Sequence, residues 1–346
     1  MKTILFCMNP YSFGILQPIM EVLKEKNYNY VWFVRAAILD KFPFKEENFT
    51  TNIKDLINYK SDAIFVPGNE VPYYLRGVKT QVFHGLAGEK KGHFRIRSYF
   101  DLYLTQGPYF TKWFSKAAAK HKNFSVVETG WPKLDVYGKE LHKYDLEKQD
   151  LLNTSNSKQI ILYAPTFSPS LTSARFLSTE IEELAANKNY LIVIKFHDLM
   201  AKDLINQYKN IANKFSNILF VQERNIIKYL LIADLMISDT SSVVYEFLLL
   251  DKPVLTFKNY SSNILWDNSL SYRNLVQKVA ENLTVDPFKG KRANILKEHH
   301  PYMDGNSALR MVDAVEAYIS ENGVPEKRLI SWFRRRKINK IFGRIQ

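Results

Sequence analysis

Short apolar runs alternate with longer helical patterns twice along this chain, and this alternation constrains the fold more than any other feature. In the first half the apolar runs cover residues 2–8, 29–35, 62–68, 79–85, 101–107 and 125–132. Helical patterns such as 14-GILQPIMEVLKE-25 and 108-PYFTKWFSKAAAKH-121 lie between them. Short continuous apolar strands that alternate with helices are typical of βαβ units, whose parallel sheet is buried on both faces. The first half therefore predicts a doubly wound α/β domain.

A second series of the same kind follows a polar stretch at 139–158 that is typical of a domain junction. Its apolar runs cover residues 159–167, 190–197, 218–222, 234–239 and 253–257, with helical patterns at 178–188, 200–214, 225–233 and 241–250. A chain of 346 residues is also longer than one hydrophobic core usually organises. We therefore predict two Rossmann-like, doubly wound α/β domains facing a central cleft, at residues 1–150 and 151–325. The last helix of the second domain is free to pack back on the first, and residues 326–346 form a tail.

The single cysteine, Cys7, excludes a disulfide framework and a cysteine-based metal site. It favours a reducing compartment. The apolar run at the start of the chain stops at Asn9 and Pro10, so a first buried strand is expected there rather than a signal sequence. No apolar window reaches the roughly 18 residues of a membrane-spanning helix.

The tail is strongly basic, since residues 327–346 contain eight Lys or Arg and no acid, against a net charge of +13 for the whole chain. Helical spacing predicts a helix that ends near Phe333 and a short amphipathic segment from Arg335 to Ile345. Basic residues interleaved with apolar ones suit an anionic membrane surface. The cations proposed for this role are Arg334, Arg335, Arg336 and Lys337. A solvated basic tail or a nucleic-acid patch is the alternative.

Polar clusters follow several predicted strands, at the carboxyl ends where open α/β sheets bind ligands. They are His84 in 81-QVFHG-85, Thr166 in 162-LYAPTF-167, Lys195 and His197 in 193-VIKFHD-198, and the residues from Asp239 to Ser242.

The stretch 234-DLMISDTSSVVYEFLLLDKPVL-255 predicts a strand followed by a helix over 241–250. Ser241 and Ser242 then lie in the first helical turn, where main-chain N–H groups and hydroxyls attract a phosphate or pyrophosphate. Glu246, one turn further along the same face, could accept hydrogen bonds from ribose hydroxyls. The alternative is that Asp239 and Thr240 only cap a buried helix.

The histidines at strand ends are candidates for proton transfer and for charge stabilisation. His84 precedes a glycine-rich stretch, 84-HGLAGEKKG-92, and could be the general base for a hydroxyl nucleophile. Lys195 and His197 leave their strand on one face and suit the developing negative charge of a phosphoryl leaving group. A structural role is the alternative for each histidine. The chain contains no P-loop, GxSxG, HExxH or GxGxxG motif after its first strand.

Taken together, these motifs resemble the CDP-glycerol glycerophosphotransferase family of teichoic acid synthesis. The matching segments are His84-Gly85, 163-YAPTF-167, 195-KFH-197, 234-DLMISDTSSVVYEFLLLDKPVL-255 and 302-YMDGNSALR-310. The resemblance spans about residues 80–320. It implies a GT-B-like fold, with an acceptor-side domain at 1–150 and a nucleotide-donor domain at 151–325. It also implies a transferase that moves a polyol phosphate, most readily glycerol phosphate, from a CDP-activated donor to a hydroxyl of a lipid-linked or polysaccharide acceptor.

Residue by residue, the resemblance makes His84 the base, with Gly85 and Lys90 on the acceptor side. His197 is the second catalytic residue. The donor nucleotide and its phosphates are assigned to Thr166, Lys195, Asp239, Ser241, Ser242, Glu246 and Arg310. No cofactor and no metal are expected. The tail implies a peripheral location at the inner, cytoplasmic face of the cell membrane.

The sequence departs from the family pattern in two places, because Leu86-Ala87 follow His84-Gly85 and Asp198 follows His197. Leu86 removes a hydroxyl near the acceptor side, so the acceptor and the transferred group stay open. A GT-B glycosyltransferase that uses a nucleotide sugar is the first alternative function. A non-catalytic protein that binds polyanions or membranes through its tail is the second.

Overall fold

The computed structural model describes residues 1–86, 94–223, 225–261, 264–271 and 273–344. The chain divides into two compact units, residues 1–139 with 298–346 and residues 140–297. Each unit is built on its own parallel sheet.

The described part of the first unit contains a parallel sheet of seven strands in the order β3-β2-β1-β4-β5-β6-β7. The strands are β1 Lys2–Cys7, β2 Asn29–Val34, β3 Phe49–Thr50, β4 Ala63–Val66, β5 Val78–Gln81, β6 Leu102–Thr105 and β7 Ser125–Glu128. The helices are α1 Ser12–Glu25, α2 Ile53–Tyr59, α3 Pro108–His121, α4 Val136–Lys139, α12 Ser307–Asn322 and α13 Trp332–Phe342. Strands β1, β4 and β6 are mainly apolar, β5 is polar at three of its four positions, and all four are almost wholly buried, as expected for a sheet covered on both faces.

The described part of the second unit contains a parallel sheet of six strands in the order β10-β9-β8-β11-β12-β13. The strands are β8 Gln159–Tyr163, β9 Tyr190–Lys195, β10 Ile218–Val221, β11 Leu235–Ser238, β12 Val254–Phe257 and β13 Asp267–Ser269. The helices are α5 Asp145–Ser155, α6 Ser178–Ala186, α7 Lys202–Ala212, α8 Ile227–Ile232, α9 Val243–Leu248, α10 Leu275–Thr284 and α11 Lys289–His299. One face of the sheet packs its isoleucines and leucines against apolar residues of α6, α7 and α10.

In both sheets the strand order reverses next to the first strand of the unit. The reversal lies between β1 and β4 in the first sheet and between β8 and β11 in the second. In doubly wound folds the crevice at such a reversal, outside the carboxyl ends of the strands, is where ligands bind. The residues that follow β1, β4 and β5, and those that follow β8, β9 and β11, are therefore candidates for ligand binding.

The division between the units differs from the sequence prediction of 1–150 and 151–325. Helix α5 spans residue 150 and belongs to the second unit, where Lys148 pairs with Asp234 at 2.5 Å. Residues 298–346 belong to the first unit, as the sequence prediction allowed for the last helix but not for the segment before it. A chain that leaves a unit and returns to it 158 residues later cannot be recognised from local composition.

The returning segment is bound to the first unit by charged and polar contacts. The carboxylate of Asp135 accepts the N–H groups of Ser307 and Ala308, both at 2.8 Å, and so caps the start of α12. Arg328 pairs with Asp101 and donates to the carbonyl of Ser98 at 3.0 Å. These contacts lie at the beginning of α12 and beyond its end, so they fix the whole helix on the sheet.

Candidate functional site

In the second unit, three adjacent strands carry the predicted donor residues to one edge of the sheet. Strands β9, β8 and β11 are neighbours, and their carboxyl ends lead to His197, Thr166 and Ser241 respectively. Neighbouring strands lie about 4.8 Å apart, so the three chain segments fall within roughly 10 Å. The structure therefore brings these predicted residues together at the reversal of the strand order.

His197 presents a defined hydrogen-bonding pattern at this edge. Its Nδ1 accepts the main-chain N–H of Leu199 at 3.1 Å, and its ring packs on Phe167 with centroids 4.5 Å apart. Because Nδ1 accepts, the neutral ring carries its proton on Nε2. Burial lowers the pKa of His197, and Lys195 lowers it further, while Asp198 opposes both effects. The neutral ring is therefore favoured, with Nε2–H as a hydrogen-bond donor.

Lys195 reaches the same edge but its ammonium group is turned toward the main chain. The side chain is buried, and Nζ donates to the carbonyl of Phe196 at 2.9 Å. Burial is the main cause that lowers the pKa of Lys195, and the nearby Asp198 and Glu223 oppose it. Lys195 would have to leave this carbonyl before it could contact a phosphate.

Asp239 organises the loop that carries Thr166. One carboxylate oxygen accepts the N–H of Thr166 at 2.9 Å, and the other accepts the N–H and hydroxyl of Ser173 at 2.8 and 2.9 Å. The side chain is fully buried, and burial raises the pKa of Asp239 to about 6 despite these three bonds. Asp239, predicted to contact the donor, thus acts on the loop after β8 in this structure.

Ser241 and Ser242 precede α9, which is shorter than the predicted helix at 241–250. The helix covers Val243–Leu248, and Ser242 has helical backbone angles without a side-chain cap. The turn that ends it includes Asp251, which has a left-handed φ of 53°. A helix of six residues has a weak dipole, so hydroxyls and main-chain N–H groups must supply most of any anion attraction.

Glu246 is buried within α9, at 5% exposure. Its predicted contact with a ribose therefore depends on the little surface that this carboxylate keeps. Lys252, in the Asp-Lys-Pro part of the same motif, donates to the carbonyl of Leu231 at 2.5 Å near the end of α8. The second half of the motif is therefore structural.

In the first unit, His84 follows β5 and has the opposite pattern to His197. Its Nδ1 lies 3.1 Å from the carbonyl oxygen of Pro67, which can only accept, so Nδ1 carries the proton. The neutral ring then has its lone pair on Nε2. Tyr11, after β1, stacks on the imidazole with centroids 5.2 Å apart. Tyr11 and His84 thus meet across the reversal of the strand order in this sheet.

The main chain before His84 is in an uncommon conformation. Phe83 has a φ of 58°, which is unfavourable for a bulky side chain and is found where surrounding structure enforces it. The ring of Phe83 is buried against Phe114 and Tyr103. Next to His84, the carbonyl of Gly85 accepts from the buried side chain of Gln106 at 2.9 Å. Lys90, predicted on the acceptor side, lies outside the described residues.

Arg310 was predicted on the donor side, but the structure places it on α12 of the first unit. Its Nη atoms donate to both oxygens of Asp304 at 2.8 and 3.1 Å, and Nε donates to the carbonyl of Thr129 at 2.8 Å. The Arg310 guanidinium, as the main cause, lowers the pKa of Asp304 to about 2. Its guanidinium also lies over the ring of Tyr302 at 4.4 Å. These contacts hold the guanidinium of Arg310 within the first unit, and its predicted phosphate contact stays a prediction.

Steric crowding explains why the motif that contains Arg310 has a glycine at position 305. Gly305 has a φ of 70°, and a Cβ there would lie 2.6 Å from Cγ of Lys139 and 3.0 Å from the carbonyl of Asp135. Only glycine fits this approach of the returning chain to α4. The motif 304-DGNSALR-310 therefore fixes the return of the chain in this unit.

The described part of the basic tail contains one helix, α13 at Trp332–Phe342, rather than a helix that ends near Phe333. Arg334 donates to the carbonyls of Ile96 and Arg97, Arg335 donates to the carbonyl of Ile330 at 3.1 Å, and Lys337 pairs with Glu70 at 2.7 Å. The fourth predicted cation, Arg336, lies over the ring of Trp332 at 5.7 Å. The helix is therefore bound to the first unit.

Large apolar side chains remain exposed at the start of α13. Leu329 is 77% exposed, Trp332 63% and Phe333 79%. Among the described residues no helix combines the length and the apolar character required to cross a membrane.

Sequence reasoning missed Tyr11 and Gln81. Tyr11 follows the first strand in Asn9-Pro10-Tyr11, so the rule that identified His84 would have identified it too. Gln81 could have been found as a polar residue inside a predicted strand, 79-KTQVFHG-85. Its partners are main-chain carbonyls of another strand end, which no local pattern reveals.

Comparison with known proteins gives a consistent result at three levels. The model of the family described as CDP-glycerol:poly(glycerophosphate) glycerophosphotransferase matches residues 19–317. The teichoic acid poly(glycerol phosphate) polymerase of Bacillus spizizenii is 26% identical over 216 residues, which cover 60% of this chain and 49% of that protein. The teichoic acid ribitol-phosphate polymerase TarL of Staphylococcus aureus is 29% identical over 323 residues, which cover 80% and 54%. This chain thus spans about half the length of these two relatives.

A solved structure of the wall teichoic acid polymerase TagF matches with a TM-score of 0.66 at 18% identity, over 92% of this chain and 89% of that one. At this identity the likeness shows the fold. The predicted GT-B-like architecture, with two parallel-sheet α/β domains, is confirmed.

Proposed function

We propose, because the chain belongs to the CDP-glycerol:poly(glycerophosphate) glycerophosphotransferase family, that it transfers a polyol phosphate in the synthesis of a cell-surface polymer. The donor is a CDP-activated polyol, with CDP-glycerol first among the candidates. The acceptor is a hydroxyl of a lipid-linked or polysaccharide chain. Relatives named for glycerol phosphate and for ribitol phosphate both match, so the polyol is a matter for experiment.

The observation that carries this proposal is the opposite hydrogen-bonding pattern at Nδ1 of two histidines at strand ends, from which opposite proton positions follow. His84 keeps its proton on Nδ1, so its Nε2 lone pair suits removal of a proton from an acceptor hydroxyl. His197 keeps its proton on Nε2, so it suits donation to an anionic phosphate oxygen. A transfer from a nucleotide to a hydroxyl needs one group of each kind.

The reaction follows from these roles. The acceptor oxygen forms a bond to the β-phosphorus of the donor while the bond from that phosphorus to the bridging oxygen breaks and CMP leaves. The proton of the hydroxyl passes to Nε2 of His84. Nε2–H of His197, with the hydroxyls of Ser241 and Ser242, stabilises the charge on the diphosphate. Positioning and electrostatic stabilisation are the main requirements of such transfers, and we include independence from metals and cofactors in the proposal.

The test is incubation of the purified chain with an acceptor and, in separate reactions, with CDP-glycerol, CDP-ribitol or UDP-N-acetylglucosamine. We expect acceptor-dependent release of CMP that persists in EDTA. Release of UDP alone would replace the proposal by a nucleotide-sugar glycosyltransferase. Blank rates with every donor, from folded protein and a teichoic acid primer, would contradict both enzymatic functions.

We also propose that α13 attaches the chain to the anionic inner face of the cell membrane. The exposed Trp332, Phe333 and Leu329 can enter the headgroup region, and Arg336 and Lys340 lie on the same helix. Apolar burial together with charge attraction is what interfacial helices use. Because other cations of the helix bind the first unit, the attachment depends more on the aromatic pair than the sequence suggested.

Flotation with vesicles tests this attachment. Vesicles rich in phosphatidylglycerol should carry the chain, and pure phosphatidylcholine vesicles should carry much less. The double substitution Trp332→Glu with Phe333→Glu should abolish binding, whereas Leu146→Glu, at a leucine 83% exposed in the second unit, should not. Equal flotation of the double variant and the unchanged chain would contradict attachment through α13.

A further inference from the structure

The turn at residues 66–68 determines where His84 holds its proton. A neutral imidazole can carry the proton on either nitrogen, and the two forms differ little in energy in water. Here Nδ1 faces the carbonyl of Pro67 at 3.1 Å. The Nε2–H form would place a lone pair against this oxygen, so only the Nδ1–H form makes the bond. The direction of one main-chain carbonyl thus selects the form of His84.

Gln81 holds that turn in place. It is the last residue of β5, it pairs with Val66 in the parallel register, and it is 2% exposed. Its Nε2 donates to the carbonyl of Gly68 at 2.8 Å and to that of Val66 at 3.1 Å, and lies 3.3 Å from the carbonyl of Pro67. One buried amide therefore contacts three successive carbonyls, with the tautomer-selecting one in the middle.

The hydrogen bonds of Gln81 should hold the turn at residues 66–68 firmly. A buried amide whose donors are satisfied is costly to displace, since an unpaired buried donor or acceptor costs about 1–3 kcal/mol. The stacked ring of Tyr11 limits rotation of the imidazole from the other side. The turn itself contains Pro67, which has no N–H to bond with a neighbouring strand. Gln81 thus ties this turn to the end of β5.

We propose that Gln81 is a positioning residue: it fixes the carbonyl of Pro67 and thereby keeps the proton of His84 on Nδ1. The effect on the tautomer stands on the geometry alone. The effect on catalysis rests on the proposed function, in which His84 is the base. Gln81 acts through Pro67 and does not contact the substrate.

Nitrogen NMR of the imidazole in the full chain tests the proposal, at a pH where the ring is neutral. We expect the Nδ1–H form to dominate in the unchanged protein and the Nε2–H form to become populated in Gln81→Met. That substitution keeps the size of the side chain but removes its N–H groups. In the transfer assay we expect kcat to fall about tenfold or more, with KM for the donor unchanged.

Asn217→Leu is the matched control. Asn217 is a fully buried amide in the second unit, and it likewise donates to two carbonyls, those of Ala185 and Tyr190, at 3.0 and 2.8 Å. Its loss should destabilise the protein without changing the His84 spectrum. A control variant that shifts the spectrum as Gln81→Met does would overturn the specific role of Gln81.

Two further results would overturn the inference. One is a dominant Nε2–H form of His84 in the unchanged protein, which requires no variant to fold. The other is a folded Gln81→Met protein with the original tautomer and the original kcat. A chain that shows the expected tautomer change but transfers nothing from any donor would end the proposed function and leave this inference intact.

Discussion

The carboxyl edges of the two sheets each hold a histidine, and the main chain around them gives the two rings opposite roles. His84 donates from Nδ1 to a carbonyl, whereas His197 accepts at Nδ1 from an N–H group. The same side chain, at the carboxyl edges of two similar sheets, is therefore a proton acceptor in one unit and a hydrogen-bond donor in the other. The difference shows that backbone direction, rather than residue type, assigns the chemistry of these edges.

The side chains that hold the two loops also have opposite hydrogen-bonding roles, one as a donor and the other as an acceptor. In the first unit the amide of Gln81 donates to three carbonyls. In the second unit the carboxylate of Asp239 accepts two main-chain N–H groups and one hydroxyl. An amide does not titrate and a carboxylate does. The stabilisation that Asp239 gives to its loop should therefore depend on pH, whereas the stabilisation that Gln81 gives should not.

Removal of the proposed base should give the largest effect. His84→Ala is expected to lower kcat by about 10²–10⁴, the usual contribution of a general base, with little change in KM for the donor. His84→Gln should be no better, because an amide cannot take up the proton. Measurement of CMP release under saturating donor checks both variants. Substantial activity in His84→Gln would contradict the role of His84 as the proton acceptor.

Substitution at the second ring should be less severe and should depend on the replacement. His197→Leu is expected to reduce kcat/KM about tenfold to a hundredfold, the range for one hydrogen bond to a charged group. His197→Gln should recover part of this loss, because its amide N–H can replace Nε2–H. Steady-state kinetics with varied donor would show the recovery. Equal defects in the two variants would remove the donor role of His197.

The pH dependence of the rate should follow the first ring. Only the neutral form of His84 can accept a proton, so kcat/KM should rise with pH as the imidazole loses its proton. In the His84→Ala variant, kcat/KM should no longer rise with pH in this way, while the residual rate stays measurable. The same rise of kcat/KM with pH in that variant would assign the ionisation to another group.

The last prediction concerns stability at the second edge rather than the rate of transfer. Burial raises the pKa of Asp239 from 3.8 to about 6, so its contribution to the free energy of unfolding is full below pH 3.8 and is lost as pH rises through 6. The contribution amounts to about 3 kcal/mol. Urea unfolding at several pH values should show the unchanged protein losing stability relative to Asp239→Asn over this range. A constant difference between the two proteins would contradict the assignment.

The strands could be predicted from the sequence because their apolar runs are continuous and buried on both faces. Strand β13, Asp267–Ser269, was missed because it is short and polar, and β3, Phe49–Thr50, because two residues make no pattern. The contact of Asp135 with α12 joins residues about 170 positions apart, and no local signal announces it.

The candidate residues were predicted as a set, but their individual roles depended on geometry. Thr166, His197 and Ser241 follow adjacent strands, as the rule for doubly wound sheets requires. Arg310 was placed with them because its motif is shared by the family, yet its guanidinium is occupied by Asp304 and Thr129. Proton positions could not be predicted, because they depend on the directions of single carbonyl and N–H groups at Pro67 and Leu199.

The return of residues 298–346 to the first unit has a consequence for biosynthesis. Residues 140–297 form a unit that is continuous in sequence, so this unit can reach its folded state while the ribosome is still adding the remainder. The earlier segment must wait with the carboxylates of Asp101 and Asp135 lacking the partners that Arg328 and α12 bring. The order of synthesis and the order of completion are therefore reversed, and until α12 is made the first unit exposes the apolar surface that this helix covers, which a chaperone can bind.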